Sequence, residues 1–87
     1  MIDESELYGP SLFEAGSKVQ SLRDIRNDGT YPGRPVGAVL IHRGDVGYVK
    51  SVGTYLNRFY VYAIDFVEQG MLVGMRGHEL ECVEASA

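Results

Sequence analysis

Glycine is the residue type that most constrains what this chain can fold into. Eleven glycines are spread through 87 residues, and the apolar residues show almost no helical periodicity. A glycine inside a helix costs about 1 kcal/mol relative to alanine, so long helices are disfavoured along most of the sequence. The sequence therefore predicts a small fold made of short strands and tight turns.

The length of the chain is typical of one small domain. At 87 residues, a two-domain enzyme with a cleft between its domains is not expected. No apolar stretch approaches the roughly 20 residues that a membrane helix needs, so we expect no membrane partner. The first residues include Asp3, Glu4 and Glu6, where a secretory signal would carry basic residues. The sequence therefore predicts a cytoplasmic protein.

Six segments have the composition of short strands, because they are rich in β-branched, aromatic or alternating apolar residues and are bounded by turn-forming residues. No crossover helix separates them, which favours antiparallel pairing. We therefore predict an all-β fold, a small SH3-like barrel of five or six short antiparallel strands with a long early loop. The predicted strands are 18–23, 39–43, 46–52, 59–67, 71–73 and 79–83.

The long loop is predicted at residues 27–37. Asn27-Asp28-Gly29 and Pro32-Gly33 favour turns, since Asn, Asp and Gly tolerate positive φ and proline presets the first corner of a turn. A second corner is predicted at residues 44–47. There, a hairpin turn that needs positive φ accounts for both Gly44 and Gly47.

Alternation along the fourth predicted strand assigns its two faces. Asp65 occupies one face, and its burial would cost several kcal/mol unless it were paired, so that face is predicted to point outward. Phe59 and Val61 share this outer face. The residues predicted to face the core are Tyr62, Ile64 and Phe66.

Charge is segregated along the chain. Residues 1–17 carry a net charge of −4, residues 18–58 carry +4 and residues 59–87 carry −4. The basic middle segment could suit a phosphate backbone. However, domains dedicated to nucleic acid usually have a pI above about 9, and the pI of this sequence is about 5.0. We therefore predict no nucleic-acid partner, with a small nucleic-acid-binding barrel kept as an alternative.

Residues typical of metal binding and catalysis are sparse. One cysteine and two histidines in separate segments fall short of the four ligands of a closed zinc or iron–sulfur site. No Gly-x-x-x-x-Gly-Lys-[Ser/Thr] phosphate loop occurs. We therefore predict no metal, no cofactor and no catalytic residue. Cys82 follows Leu80 at strand spacing and is predicted to be a small buried side chain.

Several stretches resemble the NifZ-type nitrogen-fixation accessory proteins. The resemblance predicts a NifZ-type domain at residues 13–83, between a flexible acidic N-terminal segment at 1–12 and a C-terminal tail at 84–87. The residues that carry it are Phe13-Glu14-x-Gly16-x-x-Val19, Ile25-Arg26-Asn27-Asp28-Gly29-Thr30-Tyr31-Pro32-Gly33, Gly44-Asp45-Val46-Gly47-Tyr48-Val49, Gly53-Thr54, Val61-Tyr62-Ala63-x-Asp65-Phe66-x-Glu68-x-Gly70-x-x-Val73-Gly74 and Glu79-Leu80.

This resemblance implies a function that composition and spacing do not indicate. A NifZ-type protein is expected to be a non-enzymatic, chaperone-like assembly factor for the nitrogenase molybdenum–iron component, acting while the P-cluster forms. The implied partners are the immature form of that component and other assembly factors. A docking subunit of a redox enzyme, without chemistry of its own, is a further alternative.

The long loop is the main predicted partner-binding site. Arginine and aromatic side chains contribute much of the binding energy in protein interfaces, and long loops in compact domains are often functional. The alternative is that the glycines and prolines only make the chain turn. The predicted partner-binding residues are Arg26, Asn27, Asp28, Thr30, Tyr31 and Arg34 of the loop region, with Phe59 and Val61 of the fourth strand.

Overall fold

The computed structural model of the chain describes residues 10–83. Residues 1–9 of the predicted N-terminal segment and the predicted tail at 84–87 lie outside the described residues, and the domain boundary at residue 13 stays a prediction. Short 3-10 helices occupy Val67–Gln69 and Gly77–Glu79. The strands are β1 (Lys18–Ser21), β2 (Ile25–Arg26), β3 (Val39–Ile41), β4 (Val46–Tyr55), β5 (Phe59–Phe66), β6 (Met71–Met75) and β7 (Leu80–Cys82).

The strands form two antiparallel sheets. One sheet has the order β6-β5-β4-β1-β7, and the other consists of β2 and β3. Every pairing between neighbouring strands is antiparallel, which confirms the predicted all-β class. The described residues form seven strands rather than five or six, because β2 is too short to produce a periodic signal. The SH3-like arrangement stays a prediction.

One hydrophobic core lies between the two sheets. Both sheets contribute to it, since Leu40 and Ile41 of the small sheet pack with apolar residues of the large sheet. The three residues predicted to face inward are 0–1% exposed, which confirms the assignment by alternation. The buried apolar side chains are Val19, Leu40, Ile41, Val49, Tyr62, Ile64, Phe66, Val73, Met75 and Leu80.

Strand β4 joins the two halves of the large sheet. Its first residues pair with β1, and residues from Tyr48 to Tyr55 pair with β5. The register shifts between Val49 and Ser51, which makes Lys50 a β-bulge. The strand is longer than the predicted 46–52, because residues 53–55 keep extended pairing with residues 59–61 of β5.

The glycines at residues 44 and 47 have different roles. Gly44 has a φ of +92° in a turn closed by a hydrogen bond from the N–H of Asp45 to the carbonyl of His42, as predicted. Gly47 has no positive φ, so that part of the prediction is wrong. A Cβ at Gly47 would lie 2.7 Å from Cγ2 of Ile64. The close approach of β4 to β5 therefore requires glycine there.

Cys82 is exposed, so its predicted burial is wrong. Strand spacing from the buried Leu80 suggested a core position. However, β7 is an edge strand of the large sheet, and Cys82 is its last residue. Its backbone pairs with Val19 of β1, but pairing in the plane of the sheet does not cover a side chain that projects from a face of the sheet. At the end of this edge strand, no described residue buries the thiol.

Candidate partner-binding surface

Asn27 organises the long loop. Its side chain is buried, with 2% exposure, although polar side chains are usually exposed. The side-chain nitrogen donates to the carbonyl oxygens of Tyr31 at 3.0 Å, Arg34 at 2.8 Å and Pro35 at 3.3 Å. The side-chain oxygen accepts from the backbone N–H groups of Gly29 at 3.0 Å and Tyr31 at 3.1 Å. One amide therefore replaces the backbone pairing that this loop lacks.

The two ends of the loop are also tied together by the backbone. The N–H of Asn27 donates to the carbonyl of Ala38 at 2.8 Å, and the N–H of Gly37 donates to the carbonyl of Asn27 at 2.7 Å. The guanidinium of Arg26 donates to the carbonyl of Gly37 at 2.9 Å. The loop therefore begins and ends at one place, beside the short strands β2 and β3.

Asp28 and Thr30 form an exposed polar pair on this loop. The carboxylate of Asp28 accepts from the hydroxyl of Thr30 at 2.7 Å and from its backbone N–H at 3.1 Å. These hydrogen bonds, the hydroxyl first, lower the pKa of Asp28 below its ordinary value of 3.8. Asp28 therefore presents a charged, oriented carboxylate near neutral pH.

A groove of about 310 Å³ lies between the loop and strand β6. Tyr31 is half-buried and packs against the core. The opposite wall is the edge strand β6, where Leu72 is 50% exposed. The lining thus combines charged, aromatic and aliphatic groups. The lining residues are Ile25, Arg26, Asn27, Asp28, Thr30, Tyr31, Leu40, Leu72, Val73 and Gly74.

The structure brings together five of the six predicted loop residues. Arg26, Asn27, Asp28, Thr30 and Tyr31 all line the groove. The burial of Asn27 means that its side chain shapes the loop from beneath. The remaining loop residue, the exposed Arg34, lies outside the lining and points its guanidinium toward the carbonyl of Val39, 3.5 Å away. The partner-binding role of these residues stays a prediction.

Phe59 and Val61 of β5 are not among the residues that line the groove. Alternation places them on the face opposite Tyr62, as predicted, and both are half-buried rather than fully exposed. The guanidinium carbon of Arg76 lies 3.6 Å from the centroid of the Phe59 ring. A Cβ at Gly74 would lie 3.3 Å from Val61. Neighbouring groups therefore cover part of this outer face.

The end of the β4–β5 hairpin was missed by sequence reasoning. Leu56 and Asn57 both have positive φ, 54° and 53°, in a turn closed by a hydrogen bond from Arg58 N–H to the carbonyl of Tyr55 at 3.0 Å. Positive φ at both central residues is the property of a type I′ turn, which usually contains Asn-Gly. The Leu-Asn pair carries no such signal, so the sequence did not reveal the turn.

Two negative findings concern residues 10–83. No group of three or more His, Cys, Asp or Glu side chains there is arranged to hold a metal ion. None of the helical segments in that range has the length and apolar character needed to traverse a bilayer.

Comparison with known proteins places the chain in a family. The NifZ domain family matches residues 10–82. The chain is 46% identical over 78 residues to a protein of Sinorhizobium fredii described as a putative NifZ protein, covering 90% of this chain and 72% of that protein. It is 44% identical over 72 residues to a probable NifZ protein of Rhodobacter capsulatus, covering 83% of this chain and 92% of that protein.

A longer relative is also named as a NifZ protein. The chain is 48% identical over 68 residues to the protein NifZ of Azotobacter vinelandii, covering 78% of this chain and 43% of that protein. The chain therefore spans less than half the length of this relative. No solved structure matches the chain significantly. The match to the NifZ domain over most of the chain, together with these identities, shows that the chain belongs to the NifZ family of nitrogen-fixation accessory proteins.

Proposed function

We propose that this chain is a non-enzymatic, chaperone-like interaction module that assists maturation of the nitrogenase molybdenum–iron component while its P-cluster forms. Membership of the NifZ family supports the accessory role. The observation that carries the interaction role is the groove beside the long loop, whose exposed polar groups are held in place by the buried Asn27. A surface that is already ordered loses less conformational entropy on binding.

The groove offers three kinds of contact to a protein partner. Arg26 and Asp28 provide opposite charges, Tyr31 provides an aromatic surface, and Leu72 on the opposite wall provides an exposed aliphatic side chain. Such a mixture of charged, aromatic and aliphatic groups is typical of transient protein interfaces. We therefore assign the first contact with the immature component to this groove, and Arg34 to its periphery.

An assembly factor must distinguish the immature form of its partner from the mature form. Equal affinity for both forms would shift no equilibrium, however tight the binding. One hydrogen bond to a charged group contributes about 1.5–3 kcal/mol. If Arg26 or Asp28 makes such a bond only with the immature form, the affinity for the immature form is about tenfold to a hundredfold higher than the affinity for the mature form. Closure of the mature interface then removes the bond and releases the factor.

The setting of this activity follows from the same proposal. We place the protein in the cytoplasm, with the immature molybdenum–iron component and other assembly factors as its partners. The acidic balance of the chain, with a pI of about 5.0, supports a protein partner rather than nucleic acid.

The test is a retention assay with immobilised protein and the two forms of the molybdenum–iron component, immature and mature. The wild-type chain should retain the immature form at least tenfold better. Asp28→Lys should lower that retention, because it reverses a charge in the groove. Arg43→Glu is the control, since Arg43 is also exposed but is not among the residues that line the groove.

Two results would contradict the proposal in different ways. Equal retention of both forms by the wild type would exclude differential binding. If Asp28→Lys retains the immature form as well as the wild type does, the partner binds to a surface other than the groove. In a strain lacking the chain, complementation by the wild type should raise the iron content of the molybdenum–iron component, and complementation by Asp28→Lys should raise it less.

A further inference from the structure

Strand β6 exposes its backbone to the groove. It is an edge strand of the large sheet and pairs with β5 only. Two of its residues that line the groove, Leu72 and Gly74, are exposed. Because glycine has no side chain, Gly74 contributes backbone atoms to this wall. A molecule in the groove can therefore contact the backbone of β6 directly.

Hydrogen bonds elsewhere in the sheet determine which backbone groups of β6 point away from β5. The N–H of Val49 donates to the carbonyl of Ser17 at 2.9 Å, and the carbonyl of Val49 accepts from the N–H of Gly16 at 2.7 Å. Val49 and its partner Ile64 are therefore a non-hydrogen-bonded pair of β4 and β5. It follows that Ile64 directs its backbone groups to β6, where its partner is Val73.

Leu72 and Gly74 direct their N–H and carbonyl groups away from β5. They flank Val73, and hydrogen-bonded and non-hydrogen-bonded pairs alternate along two antiparallel strands. Within residues 10–83, none of these four backbone groups has a hydrogen-bond partner. Since both residues line the groove, two donors and two acceptors are left for a molecule that binds there, arranged as a neighbouring strand would need them.

The sequence of β6 does not protect this edge. Natural edge strands usually avoid further pairing through charged residues, proline, a bulge or a short length. β6 has five residues, Met71–Met75, none of which is charged or proline, and its register with β5 is regular. The opposite edge strand, β7, has three residues and includes the charged Glu81. The unprotected edge is therefore the one that borders the groove.

The groove continues beyond Gly74. A second hollow, of about 400 Å³, shares Ile25, Arg26, Asp28 and Gly74 with it and extends to Glu79. An extended segment of about five residues, roughly 17 Å long, matches the length of β6. The long loop and β2 form the far wall, which obstructs a second copy of the chain, since pairing through its own β6 would bring the rest of its sheet. A single strand suits the groove better.

Asp28 gives the groove a negative charge without an ionic partner. Its carboxylate accepts hydrogen bonds from Thr30, and no basic group among residues 10–83 lies within 4.0 Å of it. Arg26 also lines the groove, but it directs its guanidinium to the carbonyl of Gly37. A basic side chain is therefore the complement of Asp28 on a bound segment.

We propose that an extended segment of the immature molybdenum–iron component binds in the groove as an additional strand beside β6. Its backbone pairs with Leu72 and Gly74, and a lysine or arginine of the segment pairs with Asp28. This inference rests on the proposed function and states how the partner is held. A segment that becomes buried in the mature component is accessible only before closure, so this mode of binding favours the immature form.

Hydrogen exchange tests the backbone pairing. The nitrogen-15-labelled chain is exchanged in heavy water, alone and with the purified immature component, and the remaining amide signals are read by NMR after quenching. In the free chain, the N–H groups of Leu72 and Gly74 should exchange fast and that of Val73 slowly. In the complex, Leu72 and Gly74 should exchange at least tenfold more slowly. Cys82 is the control, because its neighbour Val83 donates to β1 and its own N–H therefore points outward at the opposite edge.

Leu72→Pro tests the same pairing in a binding titration. Proline removes the N–H that faces the groove and leaves the hydrogen bonds between β6 and β5 in place. It should weaken binding of the immature component at least tenfold, because the segment loses a hydrogen bond and meets the proline ring. Leu72→Val keeps the N–H and suits a strand, so it should bind within about threefold of the wild type.

Asp28→Asn tests the charge of the segment. Asparagine keeps an oxygen that can accept from Thr30, but it forms no ion pair. The affinity of the wild type should therefore fall more steeply with salt concentration than the affinity of Asp28→Asn. Equal salt dependence of the two would exclude a basic side chain as the partner of Asp28.

The remaining outcomes separate this inference from the proposed function. If the immature component binds but the N–H groups of Leu72 and Gly74 exchange as fast as in the free chain, the inference fails and the proposed function stands. If the immature component does not bind, both fail. If exchange at Leu72 and Gly74 slows as the concentration of the chain alone is raised, a second copy occupies the edge and the inference is overturned.

Discussion

The side-chain amide of Asn27 donates a hydrogen bond to the carbonyl oxygen of Arg34 at 2.8 Å, seven residues further along the chain. The same amide group also bonds to Gly29, Tyr31 and Pro35. The conformation of a loop with no regular pairing between residues 27 and 37 therefore depends on one buried side chain.

Replacement of Asn27 by alanine should destabilise the protein strongly. Three carbonyl groups and two N–H groups lose their partner, and a buried polar group left unpaired costs about 1–3 kcal/mol. We expect the free energy of unfolding to fall by about 2–3 kcal/mol, measured by urea denaturation. Thr30→Ala, at an exposed position of the same loop, is the control and should cost less than 1 kcal/mol. A loss below 1 kcal/mol for Asn27→Ala would contradict the central role of this side chain.

Two glycines of strand β4 should respond differently to alanine. At Gly47 the added Cβ would lie 2.7 Å from Ile64 and 2.8 Å from the carbonyl oxygen of Asp65, so overpacking should cost about 1–3 kcal/mol. At Gly53 the Cβ would meet no described atom within 4 Å. Gly53→Ala should be neutral or stabilising by up to about 1 kcal/mol. Thermal unfolding of the two variants gives the comparison, and equal melting temperatures would show that β4 and β5 can separate without cost.

The pKa of Asp28 should depend on the hydroxyl of Thr30. This hydroxyl is the largest cause that lowers the pKa below 3.8, and the backbone N–H of Thr30 is the next. Thr30→Val removes the hydroxyl and keeps the N–H, so the pKa should rise but stay below 3.8. An NMR titration of the Asp28 carboxyl measures it, with Thr54→Val as a control that should leave the titration unchanged.

The same hydrogen bonds determine how the loop responds to acid. Because folding lowers the pKa of Asp28, its ionised form contributes stability that is present above pH 3.8 and is lost as the pH falls through the folded-state pKa. Thr30→Val should raise the folded-state pKa and so narrow the pH range, between 3.8 and that pKa, over which this stability is lost. An identical pH dependence of stability in the wild type and in Thr30→Val below pH 3.8 would contradict this.

The thiol of Cys82 should react in the folded protein. Its exposure at the end of β7 gives a thiol reagent direct access. Labelling without denaturant should therefore proceed at a rate comparable with that in urea. The rate is measured from the absorbance of the thiolate that the reagent releases. Cys82→Ser provides the blank. Labelling that occurs only after unfolding would mean that the side chain is covered.

Local patterns predicted the parts of the fold that depend on sequence neighbours. Alternation identified Tyr62, Ile64 and Phe66 as core residues, because a strand with one buried face repeats every two residues. The same rule failed at Cys82, because burial at the end of an edge strand depends on whether another element covers it. Alternation also gave no information on Gly47. Glycine is needed at this position because Ile64, in a different strand, lies too close for a Cβ.

The candidate groove was predictable on one side only. Its loop wall consists of residues close in sequence, and turn-forming residues together with arginine and tyrosine marked them. Its other wall comes from Leu72, Val73 and Gly74 of β6, more than forty residues away, and nothing in the local sequence links the two. The turn at the end of the β4–β5 hairpin was missed for a related reason, since Leu56 occupies a position that residue preference would assign to glycine or asparagine.

The pairing of β1 with β7 has a consequence for how the polypeptide acquires its structure. Gln20 and Glu81, 61 positions apart, face each other across these strands and share a side-chain hydrogen bond of 3.0 Å. The β4–β5–β6 meander consists of near neighbours and is expected to form early, whereas closure between β1 and β7 must wait until nearly the whole domain has left the ribosome. Mutations in β7 should therefore accelerate unfolding more than they slow folding.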